Sequence, residues 1–342
     1  MISVSIEQSQ YWHLLVERVK RAEDRRRRQR NRRETQARHG FRANLRMQRS
    51  GAAMKTVGVI GLGNMGRGIA LSLKRAGFDV LGFDANAESV RQLADEGVRP
   101  CASIAEIASA VDVLILSLPT SAIVEAVVLG DGGVASHAKR GLIVIDTTTA
   151  DPNSTRKVAA ALDAHGVAFV DGPVSGGPKG AATATMTMVL GGADEHIAAV
   201  QPVLSAISAK QVHVGPAGAG HVTKLLNNLL TGVHLLVTSE AVRAAEAAGV
   251  DKARLIEALS GGSGRNSATL TNYPTWILNE RFDSGFTMKL MRKDMRLALE
   301  LLQRARVSAP IASEAGRLWA ASAESIGDAE DFNRIVEFVD AR

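Results

Sequence analysis

A glycine-rich turn between a strand pattern and a helix pattern constrains the fold of this chain more than any other feature. The apolar run 56–60 leads into Gly61, Gly63 and Gly66, and a helical pattern follows over 65–76. In a turn of this spacing the first glycine permits a tight bend, the second lets the backbone approach a pyrophosphate, and the third lets the helix pack on the strand. The helix N-terminus attracts phosphates. The turn predicts a dinucleotide-binding unit, against the alternative of a flavodoxin-like turn without ligand.

An acidic residue at the end of the next predicted strand indicates which dinucleotide is bound. Asp84 lies 18 residues after Gly66, and Ala85 and Asn86 bring no positive charge beside it. A carboxylate at this place accepts the ribose hydroxyls of NAD and repels the 2′-phosphate of NADP. We therefore predict NAD rather than NADP, although Arg91 offers a charge that could fold back. The predicted cofactor-binding residues here are Gly61, Leu62, Gly63, Asn64, Met65, Gly66 and Asp84.

Short β-branched runs alternate with helical patterns from residue 55 to about residue 214. This alternation is typical of a parallel sheet covered by helices. The predicted strands are 56–60, 79–84, 111–117, 141–146, 168–171, 186–190 and 211–214. The predicted helices between them are 65–76, 88–96, 121–128, 152–164 and 194–207.

The pattern changes after Gly215-Pro216, where strand signals end and helix-period apolar residues continue to Val339. A long helix is predicted at about 220–248, ended by Gly249, and it is long enough to connect two domains. Shorter helices are predicted at 252–259, 266–272, 287–305, 311–323 and 332–339. The predicted fold class is an α/β Rossmann-type doubly wound domain followed by an all-α C-terminal domain. Its predicted parts are a basic extension at 1–53, the NAD-binding domain at 54–215 and the helical domain at 216–342.

The positive charge of the chain is concentrated in its first 53 residues. They hold 14 Lys and Arg against 5 Asp and Glu, whereas the remainder holds 27 basic and 30 acidic residues. The body therefore shows no nucleic-acid footprint. For the extension, three interpretations compete: an arm that binds nucleic acid or a membrane surface, a mitochondrial presequence, or a dispensable disordered tail. Its five acidic residues weaken the second, and Met54, directly before the first strand pattern, favours the third.

Composition narrows the class of protein further. No apolar run approaches the roughly 18 residues that span a bilayer, and a single cysteine, Cys101, excludes an intrachain disulfide. We expect a cytoplasmic protein with no membrane contact. The histidines show no metal-ligand spacing, and there is no cysteine pair. No metal site is therefore predicted, and His221 alone is kept as a candidate pocket residue.

Two further stretches are unusually polar and glycine-rich. One is Asp171-Gly-Pro-Val-Ser-Gly-Gly177 at a strand end, and the other opens the long helix and contains Lys224 and Asn228. These two residues are four apart and share a helical face. Because Leu225 and its apolar neighbours surround the lysine, burial would make its proton easier to release. The alternative is a lysine whose stem covers apolar surface beside a capping asparagine.

Four ordered motifs resemble the signatures of the β-hydroxyacid dehydrogenase family from about residue 54 to residue 339. They are Gly61–Gly66, Asp171–Gly177, Gly220–Asn228 and Lys293-Asp294. Within the family, Ser263-Gly-Arg265, Gly285-Phe286 and Leu118-Pro119 resemble the branch that acts on 3-hydroxyisobutyrate.

The resemblance implies an NAD-dependent enzyme that oxidises a small 3-hydroxy acid to its semialdehyde. It implies that Lys224 is the catalytic acid and base and that Asn228 orients the hydroxyl or the lysine. It implies a carboxylate-binding loop at Ser175, Gly176 and Gly177. The implied cofactor contacts outside the glycine turn are Leu118, Pro119, Thr149 and Lys293.

The resemblance leaves the exact substrate open. Tartronate, glyoxylate and succinic semialdehyde reductases share all four motifs, and a non-catalytic dinucleotide-binding module is a rival of a different class, disfavoured by Lys224. Pro178-Lys179 and Gly172 depart from the usual family residues and put the pocket in doubt. The expected partners are a small-molecule carboxylate substrate and further copies of the chain, in a homodimer or homotetramer.

Overall fold

The computed structural model describes residues 56–339. The predictions for the extension 1–53 lie outside the described residues. Within residues 56–339, an N-terminal half carries the strands, and a C-terminal half is built almost wholly of helices. This arrangement confirms the predicted fold class.

Nine strands of the described residues form one sheet. They are β1 Thr56–Ile60, β2 Asp79–Phe83, β3 Arg99–Pro100, β4 Val113–Leu116, β5 Ile143–Asp146, β6 Ala168–Asp171, β7 Val174–Ser175, β8 Met186–Gly191 and β9 Ser208–Gly215. The first six run parallel in the order β3-β2-β1-β4-β5-β6. This is the strand order of Rossmann sheets, which bind their ligand at the carboxyl edge where the order reverses between β1 and β4.

The end of the sheet departs from the parallel pattern. β8 runs antiparallel to both β6 and β7, and β9 continues parallel to β8. The short β7 and the helix after it reverse the chain, so that β8 returns along β6. Neither β7 nor that helix was predicted, because the glycine-rich stretch between residues 171 and 180 masks both patterns.

Helices cover both faces of the sheet, over two separate apolar cores. They are α1 Asn64–Arg75, α2 Ala87–Ala94, α3 Ile104–Ala110, α4 Ser121–Leu129, α5 Val134–His137, α6 Pro152–Asp163, α7 Gly177–Thr183, α8 Asp194–Ala199 and α9 Gln201–Ile207. The single helix predicted over 194–207 is wrong. Its two halves meet at Val200, because Pro202 lacks the N–H that a continuous helix would need.

The C-terminal half begins with a 29-residue helix, α10 Ala219–Ala247, close to the predicted 220–248. Gly249 follows it at φ +83°, as expected of a C-terminal cap. The remaining elements are α11 Lys252–Gly261, a π-helix at Ala268–Ile277, α12 Met288–Arg304, α13 Pro310–Ala321, and two 3₁₀ turns at Ser322–Glu324 and Phe332–Glu337.

Close packing inside the C-terminal half centres on Gly232 of α10. A Cβ there would lie 2.7 Å from Met295 Sδ and 3.0 Å from Trp319 Nε1. The Trp319 indole donates to the Gly232 carbonyl at 3.2 Å, and the tryptophan is fully buried. Gly232 therefore lets α12 and α13 approach α10, which also contacts β8 and α6 of the N-terminal half. Among residues 56–339, no helix is long and apolar enough to cross a membrane.

Candidate active site

The glycine turn adopts the conformation that its sequence predicts. Gly61 has φ +90°, and a Cβ on it would lie 2.2 Å from the Ser117 carbonyl oxygen. A Cβ on Gly66 would lie 1.7 Å from the carbonyl oxygen of Gly61, so this position admits no side chain. Gly63, by contrast, is exposed and has nothing within 4 Å of its Cβ position. The packing of the protein therefore requires glycine at positions 61 and 66, whereas Gly63 leaves the backbone open at the start of α1.

Asp84, the carboxylate predicted to select NAD, forms a hydrogen bond with the glycine turn. Asp84 Oδ2 accepts from the Leu62 N–H at 2.6 Å, and Oδ1 accepts from the Asn86 N–H at 2.7 Å. A carboxylate has about four acceptor positions, so both oxygens retain capacity for ribose hydroxyls. Asp84 therefore also braces the turn next to Leu62.

Lys224 lies on the buried side of α10. It is 9% exposed, and its Nζ donates to Ser175 Oγ at 3.0 Å. Burial lowers the pKa of Lys224 to about 8, while the Asp294 carboxylate works against that shift and Lys293 adds to it. A lysine with this pKa exchanges its proton near neutral pH.

A buried aspartate fixes where α10 begins. Asp171, at the end of β6, accepts from the Gly218 N–H at 2.7 Å and from the His221 N–H at 2.9 Å. Gly220 leaves no room for a Cβ, which would lie 2.7 Å from the Val189 carbonyl oxygen. Asp171 thus holds the first turn of the helix that carries Lys224. Its role as a helix anchor was not predicted, although it opens the motif that ends at Gly177.

His221 packs against α6 of the sheet domain. It is fully buried, and its Nδ1 lies 2.6 Å from Thr155 Oγ1 of α6. Asp146 lies nearby, and burial raises the pKa of that carboxyl, with the charge of His221 opposing the shift. The structure therefore places His221 in the packing between α10 and the sheet domain.

Asn228 contacts a buried acid of α12. Its Nδ2 donates to Asp294 Oδ2 at 2.6 Å, and its Oδ1 accepts from Asn227 Nδ2 at 3.1 Å. Asp294 is fully buried, and its Oδ1 lies 3.1 Å from Lys293 Nζ. Asp294 was seen in the sequence only as part of a motif. Asn228 lies 66 positions from Asp294 in the chain, so the local sequence gives no sign of their contact.

Lys293 connects the helical half to the carboxyl edge of the sheet. Its Nζ donates to the Thr149 carbonyl at 2.7 Å and to the Pro119 carbonyl at 3.2 Å. Thr149 and Pro119 stand on the loops after β5 and β4, and the Leu118 N–H on the same edge donates to Thr148 Oγ1 at 3.2 Å. The structure therefore brings together the three predicted cofactor residues Leu118, Pro119 and Thr149 with Lys293.

The predicted carboxylate-binding residues connect β7 to α7, since Ser175 ends the strand and Gly177 begins the helix. Gly176 and Gly177 both have positive φ, at +129° and +62°. The loop packs against a segment of the helical half, since a Cβ on Gly285 would lie 2.8 Å from Pro178 Cγ. Gly172 points elsewhere, because its Cβ position faces Met188, Leu190 and Ile145 in the sheet core. Pro178 and Gly172 both depart from the usual family residues. Pro178 borders this loop, whereas Gly172 packs in the sheet core.

Among residues 56–339, no group of three or more His, Cys, Asp or Glu could hold a metal ion. The single cysteine, Cys101, is buried, and burial raises the pKa of its thiol to about 11.

Comparison with known proteins covers both halves of the chain. Residues 56–215 match a family model described as the NAD binding domain of 6-phosphogluconate dehydrogenase. Residues 218–339 match one described as NAD-binding of NADP-dependent 3-hydroxyisobutyrate dehydrogenase. The chain belongs to the β-hydroxyacid dehydrogenase family and is an NAD-binding oxidoreductase.

Individual relatives and solved structures agree with this placement. A 2-(hydroxymethyl)glutarate dehydrogenase from Eubacterium barkeri is 36% identical over 77% of this chain and 87% of its own length. A probable 3-hydroxyisobutyrate dehydrogenase from Mycobacterium tuberculosis is 34% identical over 84% of this chain and 99% of its own. The structure of 3-hydroxyisobutyrate dehydrogenase from Mycobacterium tuberculosis with L-serine has a TM-score of 0.78 at 33% identity, covering 83% of this chain and 99% of that one.

Proposed function

We propose that this protein oxidises the primary alcohol of a small 3-hydroxy acid to a semialdehyde, with NAD as the hydride acceptor. The observation that carries the proposal is the buried Lys224, whose ammonium lies 3.0 Å from the Ser175 hydroxyl. A proton-exchanging amine thereby sits directly beside the loop predicted to hold a carboxylate. A 3-hydroxy acid carries an alcohol and a carboxylate at the short separation that this arrangement needs.

The proposed roles follow from the chemistry of each group. Neutral Lys224 accepts the hydroxyl proton as the alcohol is oxidised, and the protonated lysine returns it in the reverse direction. Ser175 and the backbone N–H groups of Gly176 and Gly177 bind the substrate carboxylate. Asn228 orients the hydroxyl or Lys224 through its amide.

The residues at the carboxyl edge fit NAD. The open backbone at Gly63 suits a pyrophosphate, since any side chain there would project into the space that the glycine leaves free. Asp84 would accept the ribose hydroxyls, and Leu62, Asn64 and Met65 complete the turn. Leu118, Pro119, Thr149 and Lys293 would contact the nicotinamide end. When bound, NAD supplies the acceptor for the hydride that leaves the carbinol carbon.

The activities named for the relatives narrow the proposed substrate class. They include dehydrogenases of 3-hydroxyisobutyrate, of L-serine and of 2-(hydroxymethyl)glutarate. All three compounds carry a CH₂OH group on the carbon that bears the carboxylate, and they differ in the third substituent. We propose that this shared part is what Lys224 and the loop at Ser175 recognise.

A substrate panel tests the proposal by the appearance of NADH absorbance. The panel contains 3-hydroxyisobutyrate, L-serine and 2-(hydroxymethyl)glutarate. Lactate, a 2-hydroxy acid, and 3-hydroxybutyrate, a secondary alcohol, are the controls. We expect one of the first three to exceed both controls in kcat/KM by at least tenfold. Preference for lactate, or for glyoxylate or succinic semialdehyde in the reductive direction as read by loss of NADH absorbance, would overturn the assignment of substrate. NADH binding without turnover of any compound would favour the non-catalytic module.

The domain limits and the assembly state belong to the same proposal. We propose a basic extension at 1–53, an NAD-binding domain at 54–215 and a helical domain at 216–342. The protein would work in the cytoplasm as a homodimer or homotetramer. Light scattering of the purified protein measures the number of copies in the assembly.

A further inference from the structure

Asp294 is a fully buried carboxylate that contacts two residues of the candidate site, Asn228 and Lys293. Its Oδ2 accepts from Asn228 Nδ2 at 2.6 Å, and its Oδ1 lies 3.1 Å from Lys293 Nζ. A buried carboxylate is costly unless it is paired and hydrogen-bonded. The two oxygens of Asp294 lie next to Asn228 and Lys293, both of which have roles in the proposed reaction, whereas Asp294 itself has none.

The contact with Asn228 determines the orientation of that amide. An ionised carboxylate only accepts hydrogen bonds, so the NH₂ end of Asn228 must point toward Asp294. The amide oxygen is then directed to Asn227 Nδ2 at 3.1 Å. Without the carboxylate, either orientation of the Asn228 amide becomes available.

The contact with Lys293 fixes a second group. Lys293 Nζ donates to the Thr149 and Pro119 carbonyls, and it forms an ion pair with Asp294 Oδ1 at 3.1 Å that lacks the geometry of a hydrogen bond. The aspartate balances the charge of a lysine that reaches across to the loops after β4 and β5. It therefore couples the position of α12 to the proposed nicotinamide end of the site.

We propose that Asp294 is a positioning residue that fixes the amide of Asn228 and the ammonium of Lys293 in register with Lys224. This inference rests on the proposed function for its kinetic consequence, and its structural content concerns Asn228 and Lys293 alone. Asp294 does not touch the reacting atoms. It acts through the two side chains that it holds.

The charge of Asp294 also acts on Lys224, which gives the test a readout that a purely structural role would not move. The Asp294 carboxylate raises the pKa of Lys224, whereas burial and Lys293 lower it. Other buried titratable groups near the start of α10 are Asp171 and His221, which bond to helix N–H groups and to Thr155. Removal of the Asp294 charge alone should therefore lower the pKa of Lys224 below about 8.

The variant Asp294→Asn removes the charge and keeps the size. We expect kcat to fall roughly tenfold or more, and the pH midpoint of oxidation to move to lower pH. Asp328→Asn is the matched control, since Asp328 pairs with Arg292 of the same helix at the surface. The double variant Asp294→Asn with Asn228→Ala should lose less than the product of the two single losses, because one acts through the other. Unchanged kcat and pH midpoint in Asp294→Asn, or fully multiplicative losses, would overturn the proposal.

Two further measurements keep the test decisive. The exchange variant Asn228→Asp with Asp294→Asn retains a carboxylate–amide pair across the same contact, so it should fold even if Asp294→Asn does not. Its kcat should stay low, and wild-type kcat in this variant would overturn the proposal. The pH dependence of Lys224 acetylation by acetic anhydride, read by mass spectrometry without cofactor or substrate, should shift to lower pH in Asp294→Asn. This shift is independent of turnover, so failure of the substrate panel and failure of the Asp294 role are distinguishable.

Discussion

Lys224 donates a hydrogen bond to Ser175 across a separation of 49 positions, and the contact joins the long helix to the end of β7. The helix start is itself tied to the end of β6 by Asp171. A rigid frame therefore holds the proposed acid and base beside the proposed carboxylate site. Catalytic groups need such a frame, since small displacements cost much of the rate.

Replacement of Lys224 should remove the proton acceptor and spare the glycine turn. In Lys224→Met we expect kcat to fall by roughly 10²–10⁴, the usual contribution of general acid–base catalysis. Lys224→Arg should be nearly as inactive, since a guanidinium keeps the charge but does not release its proton. Steady-state kinetics measure both, with Lys252→Met on the exposed start of α11 as control. Near wild-type kcat in the arginine variant would make Lys224 an electrostatic anchor instead.

The pH dependence of the reaction should report the lowered pKa of Lys224. Oxidation needs the neutral amine, so its kcat/KM should rise with pH and level off above about 8. Reduction needs the ammonium, so its kcat/KM should fall above the same pH. Rate profiles in both directions, taken with one buffer series, check the sign. Midpoints near the ordinary lysine pKa of roughly 10.4 would show that Lys224 is not the titrating group.

Replacement of Asp84 should change the choice of cofactor mainly by weakening NAD. Asp84→Ala removes the acceptor for the ribose hydroxyls and the brace on the Leu62 N–H. It also removes the repulsion of a 2′-phosphate. We expect wild-type kcat/KM to favour NAD over NADP, and the ratio to narrow in the variant. Asp95→Ala, at the exposed end of α2, is the control. A wild-type preference for NADP would contradict the role of Asp84.

The basic extension should be dispensable for turnover. This expectation rests on its charge pattern and on Met54 directly before the first strand pattern. A protein that starts at Met54 should retain the circular dichroism spectrum and kcat of the full chain within about twofold, as expected if residues 1–53 add nothing to the core. Insoluble protein or lost activity would show that these residues belong to the enzyme.

The local patterns of the sequence predicted most of the sheet domain, although β3, β7, α3, α5 and α7 were not predicted. The glycine turn, Asp84 and the alternation of strands and helices predict β1, α1 and β2 nearly to the residue. The long helix was equally readable, because Gly249 ends a run of helix-period apolar residues. These features depend on neighbours in the chain, which is where sequence patterns carry information.

Features that depend on distant contacts were missed. The reversal at β8 follows from pairing with β6 and β7, and the anchoring role of Asp171 appears only when Gly218 meets it. Asp294 is visible in the sequence as part of a motif, but its contact with Asn228 appears only in the structure. Single-residue breakers were also underweighted, as Pro202 shows.

The glycine turn allows the sharpest separation of folding from cofactor binding. Gly63→Ala places a methyl group where the protein has nothing within 4 Å, at a backbone conformation, φ −67° and ψ −165°, open to any residue. We expect the free energy of unfolding to change by less than about 1 kcal/mol. The dissociation constant of NADH should rise at least tenfold, because the methyl group occupies the approach of the pyrophosphate.

Gly66→Ala is the matched variant, and its methyl group would collide with the Gly61 carbonyl oxygen at 1.7 Å. That variant should lose stability as well as binding. Urea unfolding measures the stability of both variants, and the fluorescence of bound NADH measures its affinity. Unchanged NADH affinity in a folded Gly63→Ala variant would show that the pyrophosphate does not lie against this turn.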